Sequence, residues 1–372
     1  MNTHALPNAR RQAITFTSGD GCYLFDDAGK RYLDLVSGLG VNALGHNHPR
    51  VTKAIQEQAG RLLHTSALYG NEYQEAVAQK LCELSGLDKA LFVNSGTEAT
   101  EAALKLVRWY GGPRLRVIAL QSSFHGRTRG GLSVTGQASL RDPLGPYSLP
   151  VTFVPANDEA ALREAFGTDV AAFLFEPIQG EGGVRPLNDS YLQLAQELCR
   201  KYNALLVSDE CQTGLGRTGK VFGYEWAAVQ PDIVTVAKPI AGGLPLGAVM
   251  FSAKVAEKFP LSGHGSTFAG GPLVCRVALE FLDEMQTLLP RINEVGSALA
   301  EMLSEFGEVR GRGLMRAVPL GERPGDPIVA TAREAGLLIN CTQTTVLRFL
   351  PPYILTREQV AEAGAILRRA IS

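Results

Sequence analysis

Residues 204–210 read ALLVSDE, an apolar run that stops abruptly at a serine and two carboxylates. Both faces of such a run are apolar, which is typical of a strand buried on both sides of a parallel sheet. Five further runs have the same form, and they cover residues 90–93, 116–120, 171–175, 232–236 and 246–251. Polar residues follow most of them. Because ligands of parallel α/β sheets bind beyond the carboxyl ends of the strands, we expect these polar residues to share one site.

Amphipathic helical patterns lie between the apolar runs. Residues 97–110 carry apolar side chains at helical spacing, with Glu101 and Lys105 placed for an i,i+4 pair on the outer face. Residues 190–202 have a similar pattern. The alternation of strands and helices predicts an α/β fold, with a mainly parallel sheet flanked by helices on both faces.

The two ends of the chain carry shorter patterns. Residues 22–25 and 31–35 flank a turn signal at 26–29, as the strands of a hairpin would. Towards the C terminus, the patterns predict a helix over residues 290–306, a glycine-broken strand over 309–314, a strand over 346–350 and a closing helix over 356–370. We therefore expect a large domain over residues 46–264 and a smaller α+β domain built from residues 1–45 and 265–372.

The composition argues against several classes of protein. The 372 residues carry a formal net charge of -1, which gives no support to a bulk role on nucleic acid or anionic membranes. No apolar stretch reaches the ~20 residues of a membrane span. Residues 1–21 lack the apolar core of a secretory signal. The six cysteines form no Cys-x-x-Cys pair, which favours reduced thiols in a cytoplasmic protein.

The segment after residues 90–93 offers a phosphate site. Ser95 and Glu98 have the spacing of a capping box, and Gly96 and Thr97 lie between them. The free amides and partial positive charge of a helix N-terminus suit a phosphate. An ordinary helix cap uses the same residues, and this segment alone does not choose between the two.

Two residues at other strand ends have candidate chemical roles. Asp209 could cap the turn that follows it, or hold a heteroaromatic nitrogen in its protonated form. Lys238 leaves an apolar run just before Pro239 and the glycine pair at 242–243. A lysine in that place is a candidate for a Schiff base with an aldehyde. The alternative is a lysine whose ammonium reaches solvent while its stem covers apolar surface.

Two other motifs give weaker signals. Residues 214–219 match Gly-x-Gly-x-x-Gly, but a dinucleotide site requires that motif to open a helix directly after a strand. The residues that follow it have no helical pattern. His46 and His48 have no cluster of carboxylates or cysteines beside them, so we interpret them as turn or core histidines and expect no metal site.

As an ordered set, the motifs resemble those of the class-III, fold-type-I aminotransferases, and within them the acetylornithine aminotransferase group. The matching segments are NSGTEA at 94–99, FHGRT at 124–128, EPIQGEGG at 176–183, DECQTG at 209–214, AK at 237–238, GGLPLGA at 242–248 and HGSTF at 264–268. They span nearly the whole chain. The resemblance implies the cofactor pyridoxal 5'-phosphate, a large cofactor-binding domain, a smaller domain built from both chain ends, and a homodimer with shared active sites.

The resemblance also implies how the cofactor is held. Lys238 would carry it as a Schiff base and move a proton during catalysis, while Asp209 would pair with the pyridinium nitrogen. Thr267, in an interface loop at the start of the C-terminal segment, would reach the phosphate of the neighbouring subunit. The other implied cofactor residues are Ser95, Gly96 and Thr97 at the phosphate, Phe124 and Cys211 on the two ring faces, Gln212 at the ring hydroxyl, and Glu210.

On the substrate side, the resemblance implies Arg127, Ser266, Glu181 and Arg348. Arg127 would clamp a substrate carboxylate, because a planar guanidinium binds one in bidentate fashion, and Ser266 would line the mouth of the site. The amino donor has no carboxylate beside its reacting amine, whereas 2-oxoglutarate has one beside its carbonyl. Arg348 would therefore be neutralised by Glu181 for the first substrate and released for the second.

The implied reaction moves the δ-amino group of N2-acetyl-L-ornithine to 2-oxoglutarate, in arginine biosynthesis. Ornithine, succinylornithine, 4-aminobutyrate and lysine-pathway substrates are alternative donors, because the same fold serves all of them. Three features depart from the pattern of the group: Cys211 stands where valine is usual, Pro239 where glycine or alanine is usual, and AGGP at 269–272 where Gly-Gly-Asn-Pro is usual. Two alternatives lie outside the family, a nicotinamide-dependent dehydrogenase and a binding protein without catalysis.

Overall fold

The computed structural model describes His4, Gln12 and residues 14–371. The strands are β1 (Phe16–Asp20), β2 (Tyr23–Asp26), β3 (Arg31–Asp34), β4 (Lys89–Val93), β5 (Arg116–Leu120), β6 (Val151–Val154), β7 (Val170–Phe175), β8 (Ile178–Gln179), β9 (Arg185–Pro186), β10 (Leu205–Asp209), β11 (Ile233–Val236), β12 (Gly247–Phe251), β13 (Arg310–Arg312), β14 (Met315–Pro319), β15 (Leu337–Leu338), β16 (Asn340–Thr342) and β17 (Val346–Phe349). The prediction that residues 1–21 carry no secretory signal concerns a segment that lies largely outside the described residues.

The helices alternate with these strands through the middle of the chain. They are α1 (Ser37–Gly40), α2 (Pro49–Ala59), α3 (Gln74–Ser85), α4 (Gly96–Gly111), α5 (Arg129–Val134), α6 (Ala138–Arg141), α7 (Glu159–Ala165), α8 (Asp189–Tyr202), α9 (Ala253–Ala256), α10 (Pro272–Ser304), α11 (Asp326–Glu334) and α12 (Arg357–Ile371). Two short 3₁₀ helices cover Asp142–Leu144 and Gly223–Ala227.

A seven-stranded sheet forms the centre of the molecule, in the order β4-β12-β11-β10-β7-β5-β6. Neighbouring strands are parallel, except that β12 runs antiparallel to both β11 and β4. Strands β7, β10, β11 and β12 are buried along their whole length, as expected of strands covered by helices on both faces. The predicted α/β fold with a mainly parallel sheet is confirmed.

All six predicted apolar runs form strands of this sheet. The seventh strand, β6, was not predicted from the sequence. It lies at the edge of the sheet, pairs only with β5, and most of its residues are only partly buried. Its four residues, Val-Thr-Phe-Val, form a short run that is not fully apolar and therefore lacks the pattern that reveals the other strands.

The two chain ends meet in smaller sheets. Strands β1, β2 and β3 form an antiparallel meander, and β15 from the C-terminal third adds to it in parallel with β3. Strands β13, β14, β17 and β16 form a second four-stranded antiparallel sheet. The domain boundaries proposed at residues 45 and 265 stay predictions.

The helix predicted to begin at Pro290 begins much earlier, so that prediction is wrong. Helix α10 starts with Pro272 in its first turn and continues without a break through Pro290 to Ser304. Its buried side includes Phe281 and Met285 before the proline, and Ile292 after it. Because this apolar stripe continues across Pro290, packing along it stabilises a helix that the proline alone would interrupt.

None of the helices in the described part of the chain is both long and apolar enough to cross a membrane. The cytoplasmic location stays a prediction.

Candidate active site

A cavity of about 300 Å³ opens at the carboxyl ends of the central strands. The loops that follow β4, β5, β7, β10 and β11 supply its walls, so the strand ends with polar residues do meet at one place. The lining consists of Gly96, Thr97, Phe124, His125, Gly126, Arg127, Glu176, Glu181, Asp209, Cys211, Gln212, Ala237 and Lys238.

The N-terminus of α4 forms one end of the cavity. Ser95 caps this helix, because its Oγ accepts a hydrogen bond of 3.3 Å from the Glu98 amide. Gly96 and Thr97 follow in the first turn and line the cavity. The helix-cap and ligand-site interpretations of this segment are therefore compatible, since the Ser95 hydroxyl satisfies the helix and the next two residues border the open space.

Glycine is required where the loop after β5 crosses Thr97. Gly126 has φ of +117°, and a Cβ at that position would lie 2.1 Å from the Thr97 Oγ1. A Cβ on Gly131 would lie 2.9 Å from the same oxygen. The Thr97 hydroxyl also makes a hydrogen bond of 3.0 Å with the Thr128 hydroxyl. The glycine backbone of this loop therefore packs directly against Thr97 at the helix end of the cavity. Such a close backbone approach is typical of a phosphate site.

Asp209 lies at the floor of the cavity, where the structure shows its predicted capping role. Its Oδ1 accepts hydrogen bonds from the Cys211 amide at 3.0 Å and from the Thr235 hydroxyl at 3.2 Å, which is the capping role. Its Oδ2 lies 2.7 Å from Nδ1 of His125, which is fully buried. These bonds orient the carboxylate at the cavity wall.

The electrostatics of this pair favour its ionised form. Burial, the largest influence, would raise the pKa of Asp209, but the hydrogen bond and charge of His125 and the hydrogen bonds from Cys211 together hold that pKa below its usual range. Burial would lower the pKa of His125, whereas the hydrogen bond and charge of Asp209 and the charge of Glu176 together raise it. A carboxylate that remains negative can hold a heteroaromatic nitrogen in its protonated form.

The apolar walls of the cavity come from Phe124 and Cys211. The Arg127 guanidinium lies over the Phe124 ring, 5.8 Å from its centroid. The Cys211 Sγ would lie 3.0 Å from a Cβ on Gly96, so Cys211 packs tightly against the backbone at the start of α4. Burial raises the pKa of Cys211 well above its usual value, and the thiol therefore behaves as a small apolar side chain. The cysteine preserves the apolar wall that valine would give.

Lys238 lies two residues beyond the end of β11 and forms part of the cavity wall. It is partly buried there, between the buried residues Ala237 and Pro239. The alternative of a lysine whose ammonium reaches the outer surface does not fit this placement. Lys238 lines the same cavity as Asp209, as a residue that binds a ring through an aldehyde must.

A buried ion pair lies at the edge of the cavity. Arg348 is 1% exposed, and its Nη1 donates to Glu181 Oε1 at 2.6 Å. The same nitrogen donates to Gln212 Oε1 at 3.4 Å, and Nε donates to Asn340 Oδ1 at 3.2 Å. The backbone oxygen of Glu181 accepts hydrogen bonds from two side chains of the β16–β17 hairpin. The predicted pairing of Glu181 with Arg348 is thus present in the structure.

Glu210 does not take the predicted place at the cofactor. Its carboxylate is fully buried, accepts hydrogen bonds from the Thr213 hydroxyl at 2.5 Å and the Tyr224 amide at 2.9 Å, and is absent from the cavity lining. Successive side chains of an extended chain point to opposite sides, so the residue after Asp209 faces away from the site that Asp209 faces. Burial raises the pKa of Glu210 to about 7.

Ser266 and Thr267 also lie outside the lining of this cavity. The Ser266 hydroxyl accepts a hydrogen bond of 2.7 Å from the Asn94 side chain, next to the N-terminus of α4. Thr267 is exposed on the surface of the subunit. The family resemblance implies that Thr267 contacts the phosphate in a second subunit. Its exposed position leaves it accessible for such a contact.

Two buried ionisable residues of the lining, His125 and Glu176, had no role predicted from the sequence. His125 lies within the segment at 124–128, and Glu176 directly follows β7 in the way that Asp209 ends β10. A signal for Glu176 was therefore available, because it is a carboxylate at the carboxyl end of a fully apolar run. Its partners, however, come from distant segments that the sequence does not bring together.

The weaker motifs have structural explanations. Residues 214–219 form a turn that no α-helix follows, and Arg217 within it is buried, with its Nη1 donating to the backbone oxygens of Leu314 and Pro351. His46 pairs with Asp34 at 2.9 Å. Among the described residues, no group of three or more histidine, cysteine or acidic side chains is placed to hold a metal ion.

The chain is similar in sequence and in structure to known aminotransferases, along nearly its whole length. The family model described as aminotransferase class-III matches residues 6–371. The chain is 43% identical to the acetylornithine aminotransferase of Aquifex aeolicus, over 99% of this chain and 100% of the relative. The solved acetylornithine aminotransferase of Elizabethkingia anophelis is 33% identical with a TM-score of 0.89, covering 99% of this chain and 96% of that one. The solved ornithine aminotransferase of Toxoplasma gondii, whose active site holds pyridoxal phosphate at partial occupancy, is 34% identical with a TM-score of 0.92, covering 97% of this chain and 90% of that one.

Gly126→Ala should weaken binding of a phosphate-bearing cofactor, because the new Cβ would meet Thr97 Oγ1 at 2.1 Å and strain a backbone at φ +117°. The thermal stabilisation that added pyridoxal phosphate gives should shrink. The matched control is Gly29→Ala, which also has positive φ (+78°) but has no atom within 4 Å of its Cβ position. That control should lose only about 1 kcal/mol of folding stability and keep the full response to cofactor. An unchanged response in Gly126→Ala would contradict the placement of the phosphate at this end of the cavity.

Proposed function

The chain belongs to the class-III aminotransferases, and from that membership we propose that it transfers the δ-amino group of N2-acetyl-L-ornithine to 2-oxoglutarate. The products are N-acetylglutamate 5-semialdehyde and glutamate. The observation that carries the proposal is the buried Arg348–Glu181 pair beside a cavity that also holds Lys238 and Asp209. In this arrangement Arg348 would bind a substrate carboxylate, and Glu181 would neutralise its charge until that carboxylate arrives.

The cavity residues fit pyridoxal phosphate as the cofactor. When bound, the cofactor supplies an electron sink for negative charge at the carbon that carries the substrate amine. The N-terminus of α4, at Gly96 and Thr97, would hold the phosphate. Asp209, kept ionised by His125, would hold the ring nitrogen protonated. Phe124 and Cys211 would enclose the ring, and Gln212 would reach its hydroxyl.

Lys238 would hold the cofactor covalently between turnovers and act as the proton carrier. Its Nζ would move a proton between the amine-bearing carbon of the substrate and the cofactor. Its place two residues beyond the buried strand β11 would keep that amine near the ring whichever substrate is bound.

The two substrates make opposite demands on Arg348. The δ-carbon of acetylornithine bears no carboxylate, so an unmasked guanidinium beside it would be left without a partner. 2-Oxoglutarate and glutamate bring a carboxylate that can replace Glu181 in a bidentate pair. The side chain of Glu181 is 32% exposed, whereas Arg348 is almost fully buried, so Glu181 is the partner with room to move. Arg127, exposed at the mouth, would bind the distal carboxylate of both substrates.

The choice of donor rests on the relatives. The curated relatives named acetylornithine aminotransferase, such as those of Aquifex aeolicus and Methanosarcina mazei, are 43% and 44% identical to this chain. Solved acetylornithine aminotransferases are 33–34% identical and solved ornithine aminotransferases 30–34% identical, so the names of the curated relatives are what support this donor. Ornithine, succinylornithine, 4-aminobutyrate and lysine-pathway donors are the alternatives, and a panel of these amines with 2-oxoglutarate tests the choice directly. A clear preference for any of them over acetylornithine would overturn the donor and leave the aminotransferase chemistry standing.

We infer a homodimer from the surface around Thr267. Leu68, Tyr69 and Phe268 are 85%, 71% and 69% exposed, which is unusual for such large apolar side chains. Their two loops touch, since the Phe268 ring lies 5.5 Å from that of His64. An apolar surface of this kind is suited to a twofold contact between identical subunits, which would carry Thr267 to the partner's phosphate.

Lys238→Ala should lose the visible absorbance of lysine-bound cofactor and more than about 10³-fold of the activity, because the covalent link and the proton carrier both disappear. Borohydride reduction followed by peptide mapping should place the trapped cofactor on Lys238 in the wild type and on no peptide of the variant. Lys258→Ala, at the surface of the described chain, is the control and should behave as wild type. A reducible adduct that persists without Lys238 would refute the assignment.

Glu181→Ala should free Arg348 in the resting enzyme. We expect kcat/KM for acetylornithine to fall roughly tenfold or more, while that for glutamate is unchanged or rises, as measured in separate half-reactions. Arg127→Ala should instead lower both by about 10- to 100-fold, because both substrates carry a distal carboxylate. Equal losses in the two half-reactions of Glu181→Ala would refute the switch.

Subunit mixing tests the shared site. Lys238→Ala chains are combined with chains that carry both Ser266→Ala and Thr267→Ala. Half of randomly exchanged dimers are mixed and each has one intact site, so about one quarter of wild-type activity should reappear. Lys238→Ala mixed with Arg127→Ala is the control and should recover nothing, because both residues act within their own subunit. Recovery in neither mixture, with exchange confirmed, would contradict the shared site.

A further inference from the structure

Glu176 is a buried carboxylate of the cavity that the proposed reaction does not use. It follows β7 directly, is 6% exposed and lies in the cavity lining. Placing a carboxylate in such surroundings carries a cost unless its oxygens are paired. Its hydrogen bonds therefore indicate what it does there.

Each oxygen of Glu176 holds a different loop. Oε2 accepts the Phe124 amide at 3.0 Å, and Oε1 accepts the Gly180 amide at 3.2 Å. Phe124 lies on the loop after β5 and borders the ring site. Gly180 immediately precedes Glu181. One carboxylate thus joins the segment that faces the cofactor to the segment that carries the masking group of Arg348.

Gly180 has little freedom once this bond is formed. A Cβ on it would lie 2.0 Å from Oε1 of Gln212, so the side chain of Gln212 lies directly against its backbone. The same Gln212 oxygen accepts a hydrogen bond from Arg348. Glu176 on one side and Gln212 on the other therefore fix the point from which the Glu181 side chain reaches its partner.

We propose that Glu176 is a positioning residue that holds Glu181 against Arg348 and so sets the preference between the amino donor and the keto-acid pair. The proposal rests on the substrate switch inferred above. Losing the bond to Gly180 would loosen the backbone under Glu181, expose Arg348, and favour the substrate that brings its own carboxylate. Glu176 thus acts through another residue and needs no contact with substrate.

The charge of Glu176 is itself sensitive to its surroundings. Burial raises the pKa of Glu176 to about 7, the nearby charge of Asp209 adds to the rise, and that of His125 opposes it. Arg127, Glu181 and Lys238 are the other charged groups of the cavity lining. An ionised carboxylate offers both oxygens to the two amides, whereas a protonated one keeps a single strong acceptor. Because the pKa is raised, both hydrogen bonds are complete above pH 7, and one of them is weakened as the pH falls through 7.

The test compares Glu176→Gln, Glu181→Ala and the double variant in isolated half-reactions. We expect Glu176→Gln to lower the ratio of kcat/KM for acetylornithine to that for glutamate roughly threefold to tenfold, the effect of one lost hydrogen bond. In the Glu181→Ala background the same change should alter the ratio less than about twofold, since the residue it positions is gone. Glu225→Gln is the matched control: Glu225 also accepts a backbone amide and burial raises its pKa, but it lies outside the cavity. Its ratio should not change.

The pH profile gives a second measurement. The wild-type ratio should fall below pH 7, and Glu176→Gln should flatten that step. If Glu176→Gln does not fold, Glu176→Asp, which keeps the charge but is one carbon too short to reach both amides, should show the same fall in the ratio.

Three results would overturn the proposal. One is an equal loss in both half-reactions, which would mean that Glu176 acts through Asp209 and His125 instead. The second is full additivity with Glu181→Ala, and the third is a wild-type ratio that does not change across pH 7. If Glu181→Ala itself leaves the ratio unchanged, the substrate switch fails and this proposal fails with it. If Glu181→Ala shifts the ratio and Glu176→Gln does not, only the role of Glu176 is refuted.

Discussion

The buried pair of Asp209 and His125 is the contact around which this site is arranged. It joins the carboxyl end of β10 to the loop after β5, two strands separated in the sheet only by β7. A carboxylate buried this deeply needs a charged or hydrogen-bonding partner, and the partner in turn fixes the loop that carries Phe124 and Arg127. The position of the apolar wall, the mouth of the cavity and the glycines over Thr97 all depend on where that loop is held.

A second carboxylate repeats the same device one strand away. Glu176 ends β7 and ties the loop after β5 to the segment that carries Glu181. Two neighbouring strands therefore each end in a buried carboxylate that holds a loop from another strand. This explains why a cavity built almost entirely from loops has a defined shape, because each loop is anchored to the rigid sheet beneath it rather than only to its own ends.

The substrate side of the site is assembled from the far end of the chain. Arg348 lies on β17, in the sheet formed by the C-terminal third, and reaches the cavity through Glu181, Gln212 and Asn340. The guanidinium is buried, and Glu181 is its only ionic partner in the described residues. A buried charge is stable only while it is paired, so the contact with Glu181 helps to hold Arg348 at the cavity.

The sequence was enough to predict the central strands, the helix that begins at Gly96 and the strand-end position of Asp209 and Lys238, because these follow from local periodicity and from the break between apolar and polar residues. Strand β6 was missed because its short run is not fully apolar. The start of α10 was misplaced because a proline was interpreted as a beginning where long-range packing carries the helix through. Motif resemblance added the pairing of Glu181 with Arg348. Three features required the folded structure: Glu210 lies outside the cavity lining, His125 supports Asp209, and Glu176 joins two loops. The bond between His125 and Asp209 spans 84 sequence positions and that between Glu176 and Phe124 spans 52. Contacts of this kind are set by how the strands lie side by side in the sheet.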